Sequence, residues 1–172
     1  MAARRTVRPS RTRRALPVAR GGRTTRASTA RFRYLESSAV VAALLEHDAA
    51  AIRAMRAGGR LVTSALTFAE AARTLVRARV TGRLSPDQEQ AARRALDTLE
   101  RRCTVVAVSD EVLGRVGRPY PAEPIRTLDA VHLATVEILG LAPREVTVIT
   151  RDARVRDNAR ALGYDVSPAD AD

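Results

Sequence analysis

The chain contains no lysine; all 30 of its basic residues are arginine. That absence excludes a P-loop nucleotide site, which ends in Lys-Ser/Thr. It also excludes Schiff-base chemistry at a lysine amine and a protein kinase, which needs its strand lysine. Neither a G-x-S-x-G elbow nor a G-x-G-x-x-G loop occurs. Cys103 is the only cysteine, so neither an intrachain disulfide nor a cysteine metal cluster can form, and a cytoplasmic home is the default expectation. Tryptophan is absent and aromatics make up only 3% of the chain, so the core must be aliphatic. The longest unbroken apolar run covers residues 39–45. A spanning helix needs about 20 apolar residues, which argues against a membrane protein. Acid is missing from the first 33 residues, which hold eleven arginines.

What is present fits one globular domain. The chain has 172 residues, 45% of them hydrophobic, within the ~100–200 residues usual for a domain. The formal net charge is +11, yet residues 34–172 carry 19 arginines against 19 acids. The basicity therefore belongs to the N-terminal segment and not to the body. Residues 1–30 are expected to be disordered, because large apolar residues are sparse, proline and glycine interrupt any helix, and like charges repel. A nucleic-acid arm, a targeting peptide and an extension without function all fit that composition; the last is the expectation here. The folded domain is expected over 31–168, with a short tail over 169–172.

From Arg33 onward, strands alternate with helices. Strands are expected over 33–36, 61–64, 104–108, 146–150 and 164–167. Helices are expected over 38–45, 49–57, 67–80, 85–102, 110–116, 127–139 and 152–162. Ser85, Pro86 and Gln88 form a capping-box start. This alternation predicts a mostly parallel sheet covered on both faces. In such sheets the functional crevice lies beyond the C-terminal strand ends, where the strand order reverses.

Four carboxylates fall near those ends. Glu36 closes the first expected strand, and Asp152 follows the fourth by two residues. Glu70 lies early in the helix after the second strand, and Asp129 in the first turn of the 127–139 helix. A carboxylate cluster suits a hard cation, Mg²⁺ or Mn²⁺, better than zinc. Such a cation can activate water and offset charge on a phosphodiester. Each acid also has an ordinary structural use: Asp152 as a helix cap, Asp129 as a complement to a helix dipole, Glu70 as a partner of Arg73 or Arg77. Glu36 has the weakest such alternative, since a charge ending a central strand is costly without partners. Position alone leaves these uses and a metal site open.

Four local sequences narrow the choice. They are Tyr34-Leu35-Glu36-Ser37-Ser38-Ala39-Val40, Thr63-Ser64-Ala65-Leu66-Thr67-Phe68-Ala69-Glu70, Leu128-Asp129-Ala130-Val131-His132-Leu133-Ala134-Thr135, and Val148-Ile149-Thr150-Arg151-Asp152 with the helix and strand that follow. In this order they resemble the PIN-domain family, and within it the VapC-type toxins of bacterial toxin–antitoxin pairs. The resemblance covers about residues 33–168.

It implies an α/β fold, a three-layer α/β/α arrangement with a parallel five-stranded sheet ordered 3-2-1-4-5. It implies a Mg²⁺-dependent endoribonuclease, with Mn²⁺ as an alternative ion. Glu36, Asp129 and Asp152 would surround the metal, and Glu70 would act directly or through water. Ser38 and Thr150 would be hydroxyls that orient the carboxylates. An RNA substrate, a cognate antitoxin protein and a homodimer are implied as partners. One departure stands out, because the family usually has Asp at position 36. Glu is one methylene longer, and a metal displaced by about 1 Å can cost roughly 100-fold in rate. A weakened scaffold that binds RNA or a protein without cutting is therefore the competing expectation. His132, on an apolar helix stripe, is expected to be a packed or orienting residue. Cys103 is expected in the core, and Asp157 and Asp165 in solvent.

Overall fold

The computed structural model describes residues 32–168; the expectations for 1–30 and 169–172 fall outside the described residues. The chain runs β1 (Phe32–Leu35), α1 (Ser37–Leu45), α2 (Ala49–Arg56), β2 (Arg60–Ser64), α3 (Ala65–Val80), α4 (Pro86–Glu100), β3 (Thr104–Val106), α5 (Asp110–Val116), α6 (Thr127–Ile138), a 3₁₀ turn (Pro143–Glu145), β4 (Val146–Ile149), α7 (Ala153–Ala161) and β5 (Asp165–Ser167). All strand pairs are parallel, in the order β3-β2-β1-β4-β5. β1 and β4 lie side by side, with Leu35 opposite Ile149. The chain leaves the first strand in one direction and returns on its other side, so the switch point falls between β1 and β4.

Side chains alternate across the strands, and the alternation sorts the core into two layers. Leu35 and Ile149 pack on one face with Ala39, Val40, Phe68, Leu75, Leu96 and Leu99. Tyr34 and Val148 face the other side with Leu133, Val136, Val155 and Tyr164. Helices α1, α3 and α4 supply the first layer, and α6 and α7 the second. Aliphatic side chains dominate both layers, as the scarcity of aromatics requires. Cys103 is packed against the first layer, and burial pushes its thiol up to about 11. No helix among the described residues is long and apolar enough to cross a membrane.

The α4 start is the expected capping box. Gln88 N donates to Ser85 Oγ at 3.2 Å and Ser85 N donates to Gln88 Oε1 at 2.8 Å, with Pro86 at the first helical position. Other boundaries moved. β3 stops at Val106 instead of residue 108. Its partner there is Ser64, the last residue of β2, which turns to cap α3, so the ladder has nothing further to pair with. β1 stops at Leu35. Glu36 still donates its backbone N–H to Ile149 O at 3.0 Å, but it serves as the N-cap of α1. The strand-closing residue of the sequence reading is therefore a helix cap. The 3₁₀ turn before β4 had no sequence expectation.

Candidate active site at the β1/β4 switch point

Glu36 is 3% exposed. Burying a carboxylate costs several kcal/mol unless its oxygens are satisfied, and here four donors reach them. Oε1 accepts from Ser37 Oγ at 2.7 Å and from Ser38 N at 3.0 Å. Oε2 accepts from Thr150 Oγ1 at 2.8 Å and from Ser38 Oγ in a short contact. Ser38 and Thr150, predicted to orient carboxylates, thus both hold Glu36.

They also hold the turn after β4. Arg151 N and Asp152 N donate to Ser38 Oγ at 2.7 and 3.0 Å, and Asp152 N also lies 3.0 Å from Thr150 Oγ1. Asp152 is the N-cap of α7, its Oδ1 accepting from Arg154 N and Val155 N. The cap uses one oxygen. Oδ2 lies 3.8 Å from the Arg154 guanidinium.

Asp129 sits in the first turn of α6. Its Oδ2 is buried and accepts no hydrogen bond. Burial, then the charge of Asp152 and to a lesser extent that of Glu36, raise its carboxyl above the usual range; the Arg126 backbone N–H and guanidinium oppose this. The charges of Asp152 and Glu36 thus both bear on Asp129.

Glu70 approaches from α3. Its Oε2 lies 2.8 Å from His132 Nε2, and His132 Nδ1 lies 2.9 Å from the Tyr34 hydroxyl. Tyr34 and His132 are 0% and 1% exposed. A carboxylate only accepts, so Nε2 carries the proton, and in the neutral ring Nδ1 accepts from Tyr34. The chain Tyr34–His132–Glu70 joins β1, α6 and α3. His132 Nε2 is also 3.8 Å from Glu36 Oε1. Glu36, Glu70 and His132 each bring one potential ligand atom within 4.8 Å of the others.

The structure thus brings Glu36 together with Ser38, Thr150 and Asp152, couples Asp129 to that group electrostatically, and ties Glu70 to it through His132. The expected pairing of Glu70 with Arg73 or Arg77 is replaced by the His132 bond. His132 is packed, as expected; that its partner is Glu70, and that Tyr34 stands behind it, were not foreseen. A usable signal existed: a histidine on a buried helix face needs partners for both ring nitrogens. Asp157 and Asp165 are exposed, as expected.

A divalent cation suits these residues. The donors are mainly carboxylate oxygens, which hard cations require, and Asp129 Oδ2 is a buried acceptor with no hydrogen-bond donor.

The PIN domain family model matches residues 33–161. The chain belongs to the PIN-domain family. Among PIN-domain relatives, Ribonuclease VapC46 of Mycobacterium tuberculosis is 38% identical over 135 residues, covering 77% of this chain and 94% of the relative. Ribonuclease VapC35 of the same species is 34% identical over 137 residues, covering 77% and 93%. Among solved structures, VapC20 of M. tuberculosis, described as a sarcin-ricin loop cleaving toxin, superposes with a TM-score of 0.57 at 19% identity, covering 79% of this chain and 99% of that one. That likeness shows the shared PIN fold.

Proposed function

We propose that this PIN-domain protein is a metal-dependent endoribonuclease, the toxin of a toxin–antitoxin pair, acting in the cytoplasm on RNA phosphodiesters. The observation that carries the reading is the buried, unpartnered Asp129 oxygen facing the charges of Asp152 and Glu36 at the sheet's switch point. The ribonuclease names of the relatives support it.

Glu36, Asp129 and Asp152 would hold Mg²⁺, or Mn²⁺ in its place. When bound, the cation would lower the pKa of water and offset charge on the phosphodiester. Ser38 and Thr150 fix Glu36 and the Asp152 turn, so little reorganisation is needed when substrate arrives. Glu70, held by His132, would act directly or through water, taking a proton from the attacking water. Attack at phosphorus with departure of the 3′ oxygen leaves a 5′-phosphate and a 3′-hydroxyl. A cognate antitoxin protein and a second copy of the chain are the proposed protein partners.

A second reading, a PIN scaffold that binds RNA without cutting it, is favoured by one observation: four donors already occupy the Glu36 carboxylate. Incubation of a mixed RNA with the full-length chain, with Mg²⁺ or Mn²⁺, separates the two. Metal-dependent cutting that Asp129→Asn abolishes is the expected result. RNA binding that persists in EDTA, with no cutting at any metal concentration, would favour the scaffold.

A further inference from the structure

We propose that Asp48 and Arg151 form a clamp that positions Asp152, and through it the cation site. The inference rests on the reading of Asp152 as a cation ligand. Asp48 lies in the connection between α1 and α2, 103 residues from Arg151 in sequence. Its carboxylate divides its work. Oδ1 accepts from Ala50 N at 2.8 Å and Ala51 N at 3.0 Å, capping α2. Oδ2 accepts from Arg151 Nε at 2.8 Å and, in a short contact, from the Nη2 of the same guanidinium.

The turn that presents Asp48 is itself unusual. His47, just before it, has φ 51°, a left-handed conformation that non-glycine residues adopt at a cost. Asp48 N is anchored on Ala42 O at 3.1 Å. Capping α2 requires only Oδ1; the second oxygen is turned toward a different element.

Arg151 immediately precedes Asp152. On its other side, that turn is gripped by Ser38 Oγ, which accepts from both Arg151 N and Asp152 N. The Asp152 carboxylate is fixed in turn by the first N–H groups of α7. Its position therefore follows the backbone of residues 150–152, which Ser38 holds directly from the start of α1 and Asp48 holds through the Arg151 side chain. A half-exposed ion pair contributes little to stability by itself. Placement of a cation ligand is another matter, because Mg²⁺ and similar ions demand near-ideal geometry.

Coulomb's law alone gives the two partners opposite signs. Removing the Arg151 charge next to an acidic site should tighten cation binding, and removing the Asp48 charge should loosen it. A clamp predicts that both changes loosen it. The test uses the full-length chain and Mn²⁺ as probe, with free Mn²⁺ read by electron paramagnetic resonance and Tm recorded alongside. Asp48→Asn keeps a cap acceptor but turns an amide NH₂ on Arg151. Asp48→Ser keeps the cap with no arm to reach it, and Arg151→Met removes the guanidinium. Each should weaken Mn²⁺ binding about tenfold, the low end for lost ligand-supporting contacts. The Asp48→Asn/Arg151→Met double variant should be no weaker than the worse single, because both break one interaction. Ser85→Ala, which removes the remote α4 cap, should lower Tm and leave Mn²⁺ affinity unchanged.

Tighter binding in Arg151→Met, or additive losses in the double variant, would overturn the clamp. Wild-type affinity in all the clamp variants, with Asp152→Asn deficient, would overturn the clamp and leave the site standing. Wild-type affinity in Asp152→Asn would remove the reading on which the clamp rests.

Discussion

Asp129 holds its negative charge against two costs, burial and the neighbouring charge of Asp152. Its folded pKa is raised above the unfolded one, so the folded state binds its proton more tightly. The stability this gives is fully present below the ordinary carboxylate range and is lost as pH rises through the raised value. Above that value, without divalent metal, the ionised group works against folding. Asp129→Asn should therefore raise the Tm of metal-free protein at neutral pH, and the difference should shrink on acidification. Thermal melts in EDTA from neutral to acid pH measure this directly. Stabilisation of the apo-protein by its removal would mark Asp129 as a residue kept for function at the expense of stability. Asp129 lies in the first turn of α6, as its sequence Leu128-Asp129-Ala130 indicates. The sequence did not show that one oxygen would be left without a donor, since that depends on what the other strands and helices fail to bring.

Single elements present the site residues, but pairs of elements hold them. The Tyr34–His132–Glu70 chain links β1, α6 and α3, and no local pattern announces it. Tyr34→Phe removes the donor to His132 Nδ1 and leaves a buried acceptor unpaired, a cost of about 1–3 kcal/mol. It also removes one of the two hydrogen bonds that orient the ring, so Glu70 loses a fixed partner. Cleavage should fall by about tenfold or more, as for other lost ligand-supporting contacts, with the fold retained. Initial rates and circular dichroism on the same samples check both halves. The elements themselves were largely legible, because periodicity, caps and turns are local properties. The α4 capping box appeared where Ser85, Pro86 and Gln88 placed it. Boundaries set by neighbours did not: β3 ends where Ser64 leaves the ladder, a fact about β2 and not about residues 104–108. The Asp48–Arg151 contact was invisible for the same reason, being a meeting of two distant turns.

Across the whole molecule, charge is strongly segregated. Residues 1–30 carry nine arginines and no acid, while residues 34–172 balance. Whether RNA affinity and RNA cutting depend on different parts of the chain is then open to a direct test. If about five of those arginines contact single-stranded RNA, deleting residues 1–30 should flatten the plot of log affinity against log salt by about 3.5, at roughly 0.7 per contact. The rate of cutting at saturating RNA should not change. Binding to the Asp129→Asn protein across a salt series gives the slope; equal slopes would mean that the segment makes no phosphate contacts.

The longer side chain at position 36 also bears on how this protein can change. Ser37, Ser38 and Thr150 close around a carboxylate that extends one carbon farther than an aspartate would. Shortened by one bond, about 1.5 Å, the same group would leave those donors facing a gap. Exchange of Glu36 for Asp should then cost hydrogen bonds and lower the Tm. Position 36 and its neighbours are therefore coupled: a change at one is felt at the others.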